Sequence, residues 1–149
     1  MAVLNVENIL VDSNYKNKEE VFKAIGKKAY EVGVIESEEE FVEGLFKREA
    51  EMSTGFEKGI AIPHTLNATV KEASVFVVKN NKDIIWDSEE KQINFVIFLA
   101  IPKNDGPTHI KLLSSIARKL VDEDFTNRLL LCNKSEEIYE CLNDATTLK

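Results

Sequence analysis

The sequence predicts an α/β protein: a three-layer α/β/α sandwich around a mixed parallel and antiparallel sheet, as a single domain over 1–149. Three observations carry this. The segments run strand, two helices, several strands, three helices, which places helices before and after a set of strands. The stretch Phe95-Val96-Ile97-Phe98-Leu99-Ala100-Ile101 is apolar throughout, as a strand covered on both faces would be. The middle strands follow one another without crossover helices, so some of them must pair antiparallel.

In chain order, Val6 to Val11 reads as a short strand ended by the turn signal Asp12-Ser13-Asn14. From Lys18, the residues Val21, Phe22, Ile25, Ala29 and Val32 recur at helical steps, and Gly33 stops the helix. Ser37 with Glu40 forms a capping box that opens a second helix, whose apolar stripe is Phe41, Val42, Leu45 and Phe46. The Glu36 to Glu40 run is read as a solvated first turn complementing the helix dipole. Ile60-Ala61-Ile62 is a short strand stopped at Pro63. Ala73 to Val78 and Ile93 to Ile101 are strands. Asn80-Asn81-Lys82-Asp83 is expected to turn the chain between them, with Ile84 to Trp86 a short edge strand. After the loop Asn104-Asp105-Gly106-Pro107, Thr108 is the expected N-cap of a helix from His109 to Leu120. Helices near Asp124 to Cys132 and Ser135 to Asn143 follow, and the polar tail 144–149 is expected to fray.

Composition narrows the function. With 44% apolar and 30% charged residues the chain is an ordinary globular one, and global disorder is excluded. The formal net charge is −7 and there is no Lys/Arg run, so nucleic acid and anionic membrane surfaces are poor partners. No apolar run approaches the roughly 18 residues of a membrane span, and Met1 to Val11 lacks the features of a signal peptide. Cys132 and Cys141 have no CxxC or zinc spacing. They are expected as free thiols of a cytoplasmic protein, a Cys132–Cys141 bridge being the alternative. GxGxxG, GxxxxGK[ST], GxSxG and HExxH are all absent, and neither a metal nor a cofactor is implied.

Two histidines remain. Pro63 biases Ile62 towards extended geometry and presents His64 at the end of a strand, where rigid scaffolds display reactive groups. The alternative is a surface histidine in a turn. His109 falls in the first turn of a helix, where unpaired N–H groups and the dipole attract anions and keep an imidazole neutral. The alternative there is a bystander that tolerates a helix start.

Arg48-Glu49-Ala50, Ser53-Thr54-Gly55 and Gly59-Ile60-Ala61-Ile62-Pro63-His64 together resemble the signature of enzyme IIA of the fructose/mannitol family in the bacterial phosphoenolpyruvate-dependent sugar phosphotransferase system. Ile85-Trp86-Asp87 and the helix His109-Ile110-Lys111-Leu112-Leu113 extend the resemblance, which is nearest the fructose-type branch and covers Val6 to Asn143. The chain departs locally, carrying Phe56-Glu57-Lys58 where the family has a glycine and a small polar residue. The resemblance implies a phosphocarrier that takes a phosphoryl group from HPr on Nε2 of His64. It then passes the group to an enzyme IIB domain, itself linked to a membrane enzyme IIC. Arg48 is the implied phosphate-binding group, with Thr54 and His109 as further donors. One rival within the fold is a nitrogen-related regulatory relative acting through phosphorylation-dependent protein binding. Rivals outside that class are a two-histidine nuclease, which the net charge opposes, and an interaction domain with an inert His64.

Overall fold

The computed structural model describes residues 3–148. Met1, Ala2 and Lys149, the extremities of the expected leader-free N-terminus and frayed tail, lie outside them. Five strands form one sheet: β1 (Leu4–Ser13), β2 (Ile60–Ala61), β3 (His64–Asn67), β4 (Ser74–Ile85) and β5 (Gln92–Pro102). The order is β1-β4-β5-β2, with β3 pairing the same edge of β5 as β2. β4 and β5 are antiparallel, and the other pairs are parallel.

The pleat divides the core in two. Val75 and Val77 of β4, with Phe95, Ile97 and Leu99 of β5, face α3 (Gly106–Leu120), α4 (Glu123–Leu131) and α5 (Ser135–Leu142). Phe76 and Val78, with Val96, Phe98 and Ala100, face α1 (Lys18–Glu31) and α2 (Glu38–Glu51). The three layers and the mixed sheet are those the sequence predicts. On the second face Phe22 packs edge-on against Trp86 and Phe98, with ring centroids 5.8 and 5.6 Å away. Burial of one such ring contributes about 1.5–3 kcal/mol, well above the tenths that separate most helix propensities, so packing rather than propensity fixes α1.

The helix starts follow the caps. Asn17 accepts from the Glu20 N–H, and Ser37 accepts from that of Glu40. Gly33 adopts φ +80° just past α1, as a left-handed stop requires. At Gly44 a Cβ would lie 2.5 Å from Asn67 Nδ2 and 2.7 Å from Thr65 Oγ1. Only a glycine lets α2 approach β3 this closely, and Arg48 stands one turn further along the same helix. Among the described residues no helix is long and apolar enough to cross a membrane.

Four expectations are corrected. β4 runs unbroken to Ile85, with a register shift between Lys79 and Ile84 where a turn was expected. Buried Asn80 explains this: its side chain accepts from the Tyr15 N–H and donates to the carbonyls of Tyr15 and Lys82, replacing ladder bonds lost at the bulge. The turn lies instead at Asp87–Glu90, closed by Trp86 N–H to Lys91 O. His64 does not follow the end of a strand but begins one, β3, opposite Leu99. Asp105, not Thr108, caps α3: its carboxylate accepts from both the N–H and the hydroxyl of Thr108. Within the tail, Asp144–Thr146 forms a 3-10 turn that buries Ala145 and Thr146.

Asn80→Ala is expected to lower stability by about 1–3 kcal/mol, because it strands the partly buried polar groups of Tyr15. Urea unfolding checks this. A loss within the roughly 0.5 kcal/mol of an ordinary surface substitution would mean that the bulge does not depend on the amide.

Candidate functional site

His64 is set by its own chain. Pro63 has no N–H to give the ladder, so β2 stops there, while the Pro63 carbonyl still accepts from Leu99 N–H at 3.0 Å. The strand resumes at His64, which is 6% exposed. Its Nδ1 lies 3.0 Å from the carbonyl of Ile62. A carbonyl only accepts, so Nδ1 carries the proton and Nε2 the lone pair. Arg48 Nε lies 3.2 Å from Nε2 and, being only a donor, is consistent with that tautomer.

Three elements converge on this ring. Arg48 belongs to the last turn of α2, and its Nη1 also donates to the carbonyl of Met52 at 2.8 Å. His109 comes from α3, its ring 4.7 Å from that of His64 between centroids and inclined by 33°. His109 Nε2 is buried and has no hydrogen-bond partner among the described residues. The open pocket over the three side chains is about 610 Å³ and is also lined by Lys47 and Lys103.

Both histidines titrate below their ordinary value. Burial is the main cause for His64, helped by His109 and Arg48 and opposed by the Ile62 carbonyl and Glu49. For His109 burial again leads, with Arg48 second. The expected helix-end anion site is already filled: the Asp105 carboxylate occupies it, and the His109 N–H donates to the Asp105 carbonyl.

Thr54 stands apart from these three residues. Its hydroxyl donates to Glu49 Oε1 at 2.5 Å and its N–H to Glu49 Oε2 at 2.8 Å. The Glu49 side chain is only 5% exposed and pairs with Lys18 at 3.6 Å. Reasoning from sequence passed over Glu49 although one signal marked it: four residues after Leu45, it continues the buried stripe of α2 with a charge. Ser53 ties the same loop to the β4–β5 turn by donating to Asp87 at 2.6 Å, which holds that carboxyl below its usual range. Outside this pocket, Cys132 and Cys141 are free, as expected, with their sulfurs 3.7 Å apart.

Residues 2–145 match the family described as "Phosphoenolpyruvate-dependent sugar phosphotransferase system, EIIA 2". Over 145 residues the chain is 32% identical to Multiphosphoryl transfer protein 1 of Escherichia coli (strain K12), covering 97% of this chain and 17% of that protein. The chain thus spans about one sixth of the length of that relative. It is 28% identical to the PTS system fructose-like EIIA component of the same organism, covering 87% of this chain and 88% of that one. The nitrogen regulatory protein IIA-Ntr from Neisseria meningitidis superposes with a TM-score of 0.85 at 27% identity, over 94% of this chain and 96% of that one. Enzyme IIAMTL from Escherichia coli, solved in complex with phosphorylated enzyme IIBMTL, superposes with a TM-score of 0.78 at 25% identity, over 93% of this chain and 95% of that one.

The lowered histidine pKa values make the fold acid-sensitive in a defined window. Each folded value lies below the ordinary 6.5, so the unfolded chain binds more protons as pH falls through 6.5. Stability is therefore complete above that value and declines below it, down to the folded pKa. Unfolding followed between about pH 7 and pH 5 is expected to show a shallower loss in the His64→Gln/His109→Gln double variant than in the parent protein. Equal slopes would contradict the lowered titration of the two rings.

Proposed function

The chain belongs to the EIIA 2 family of the phosphoenolpyruvate-dependent sugar phosphotransferase system, and on that premise we propose that it carries a phosphoryl group on Nε2 of His64. The observation that supports this best is the tautomer: Nδ1–H is bound to the Ile62 carbonyl, and the lone pair of Nε2 is left for phosphorus. The donor is the phosphohistidine of HPr. The Nε2 lone pair forms the new N–P bond, the bond from phosphorus to the donor nitrogen breaks, and its electron pair returns to that nitrogen. The proton on Nδ1 of His64 stays in place. Nothing but the phosphoryl group changes hands.

The protein supplies position and charge, as phosphoryl transfer requires. At rest Arg48 Nε caps the Nε2 lone pair. On transfer the guanidinium moves from that nitrogen to the equatorial phosphoryl oxygens, which its planar fork fits. The unpartnered Nε2 of His109 offers a second group to the same oxygens once it is protonated. Thr54 supports the site from behind, through Glu49, rather than by touching phosphate. The group then passes to a nucleophile on an enzyme IIB domain, associated with a membrane enzyme IIC. The likeness to nitrogen regulatory protein IIA-Ntr favours a second reading, in which phosphorylation of the same histidine governs binding to other proteins. Onward transfer to a IIB domain distinguishes the two.

Incubation with phosphoenolpyruvate, enzyme I and HPr is expected to add one acid-labile, alkali-stable phosphoryl group, read by intact mass. His64→Ala abolishes this, and label retained in that variant would sink the assignment. Arg48→Ala slows acceptance on the order of 10²–10³-fold, by analogy with loss of one preorganised donor, and Arg48→Lys recovers part of the rate. Wild-type rates in both variants would remove Arg48 from the site. Phosphorylation brings about −1.5 to −2 charges at neutral pH beside His109, so its pKa rises. An NMR titration of the His109 ring in the two forms reads the shift, and an unmoved midpoint would make His109 a bystander.

A further inference from the structure

We propose that Glu49 is a positioning residue of the phosphoryl-accepting site, acting through the Ser53–Gly55 loop and the Ile62 peptide to hold the His64 ring with Nδ1–H bound and Nε2 facing the pocket. The inference rests on the phosphoryl-carrier reading above and names a part of that site which touches no phosphate.

The linkage is continuous. Glu49 Oε2 accepts from the Thr54 N–H and Oε1 from the Thr54 hydroxyl. The Thr54 carbonyl accepts from the Ile62 N–H at 3.0 Å. The Ile62 carbonyl accepts from His64 Nδ1–H at 3.0 Å. Each end of the Ile62 peptide is thus fixed, one by the loop that Glu49 anchors and the other by the ring. A carboxylate with 5% exposure is costly to place in a core unless it is paired and hydrogen-bonded. Lys18 at 3.6 Å and the two Thr54 donors offset that cost. Lys18 is itself held over the Trp86 ring, 5.2 Å from its centroid. The structure therefore maintains a buried anion linked to its nucleophile through Thr54 and Ile62, in the next residue after Arg48.

That placement has a chemical consequence. Attack by Nε2 while Nδ1 keeps its proton leaves the imidazole ring cationic as the N–P bond forms. A fixed anion linked to the ring favours this charge, and the Ile62 carbonyl retains the proton that creates it. The groups that act on His64 are Arg48 and Glu49 from α2 and His109 from α3, while Glu40, Glu43, Lys47 and Glu51 of α2 and Lys103 after β5 line the wider pocket. Arg48 and His109 oppose protonation of the ring, and Glu49 alone of the three favours it. Without Glu49 the ring is less basic and its nitrogen a weaker nucleophile.

The test uses two variants of opposite expected sign. Glu49→Gln removes the charge, and Lys18→Met leaves the charge while removing its cationic partner. In Glu49→Gln the His64 titration midpoint is expected to move down, the ring nitrogen shifts to show a mixed tautomer, and the maximal rate of phosphoryl uptake from phosphorylated HPr to fall. The fall should be roughly tenfold to hundredfold, as when an outer partner of a functional histidine is lost, with little change in KM for the donor. In Lys18→Met the midpoint is expected to move up. A folded Glu49→Gln protein with wild-type His64 midpoint, tautomer and rate overturns the proposal. Should Glu49→Gln not fold, an unmoved midpoint in Lys18→Met overturns it instead. If the wild-type protein accepts no phosphoryl group, the carrier reading fails by itself, while the two titrations still decide whether Glu49 governs the ring.

Discussion

The hydrogen bond from His64 Nδ1 to the carbonyl of Ile62 is the constraint on which the rest of the site depends. It spans the break between β2 and β3, from Ile62 to His64, and cannot form if the chain runs straight through as a regular ladder. Pro63 is what prevents that: lacking an N–H, it ends β2 after Ala61 and lets β3 resume at His64 on the same edge of β5. The Ile62 carbonyl is freed from sheet pairing and turned to the ring. Once Nδ1 is bound, only Nε2 remains to face the pocket, and every other group there is arranged around that nitrogen. Arg48 reaches it because Gly44 lets α2 lie close on β3, and His109 reaches it because α3 starts just after β5.

What the sequence made legible were the features whose signals are local. The α1 start follows from the helical spacing that begins at Lys18, the α2 start from Ser37, and the two-sided burial of β5 from its unbroken apolar run. What it hid were features in which a distant partner reverses a local signal. Asn80 to Asp83 has the composition of a turn, yet Tyr15, 65 residues earlier, takes up the Asn80 amide and keeps the strand whole. Thr108 has the chemistry of an N-cap, but Asp105 stands one turn earlier and serves better, binding Thr108 through both backbone and side chain. The tail is polar by composition, yet Ala145 and Thr146 are buried at its turn.

The site divides along the same line. His64, Arg48 and His109 were marked by motif and by residue type, and they come together. Thr54 was marked by its place in the motif, but its hydroxyl turns inward. No feature of a threonine's own sequence neighbourhood says which way the hydroxyl will point when a carboxylate five residues earlier is buried beside it. Glu49 was hidden for the converse reason, since a glutamate after an arginine at the end of a helix reads as surface. Its register with Leu45, four residues earlier on the buried stripe, was the one local trace of its position.

The electrostatics fit a group that must be held and then released. One permanently charged guanidinium touches the His64 ring, beside two imidazoles whose pKa values burial lowers, and Lys47 and Lys103 line the wider pocket. Several fixed cations bound directly to the ring nitrogen's cargo would stabilise a phosphorylated state as much as the transition state, and uniform stabilisation does not speed transfer. On the proposed carrier reading, part of the positive charge is conditional. Burial disfavours the protonated form of His109, and a phosphoryl group beside it would favour that form, so on this reading part of the attraction comes and goes with the cargo. Arg48 is shared in the same way, bound to Nε2 and to the Met52 carbonyl at rest, so its hold on a phosphoryl group is measured against bonds it already has. On the proposed reading, a site built this way keeps the gap between its loaded and unloaded states small, which onward transfer of an unaltered phosphoryl group would require.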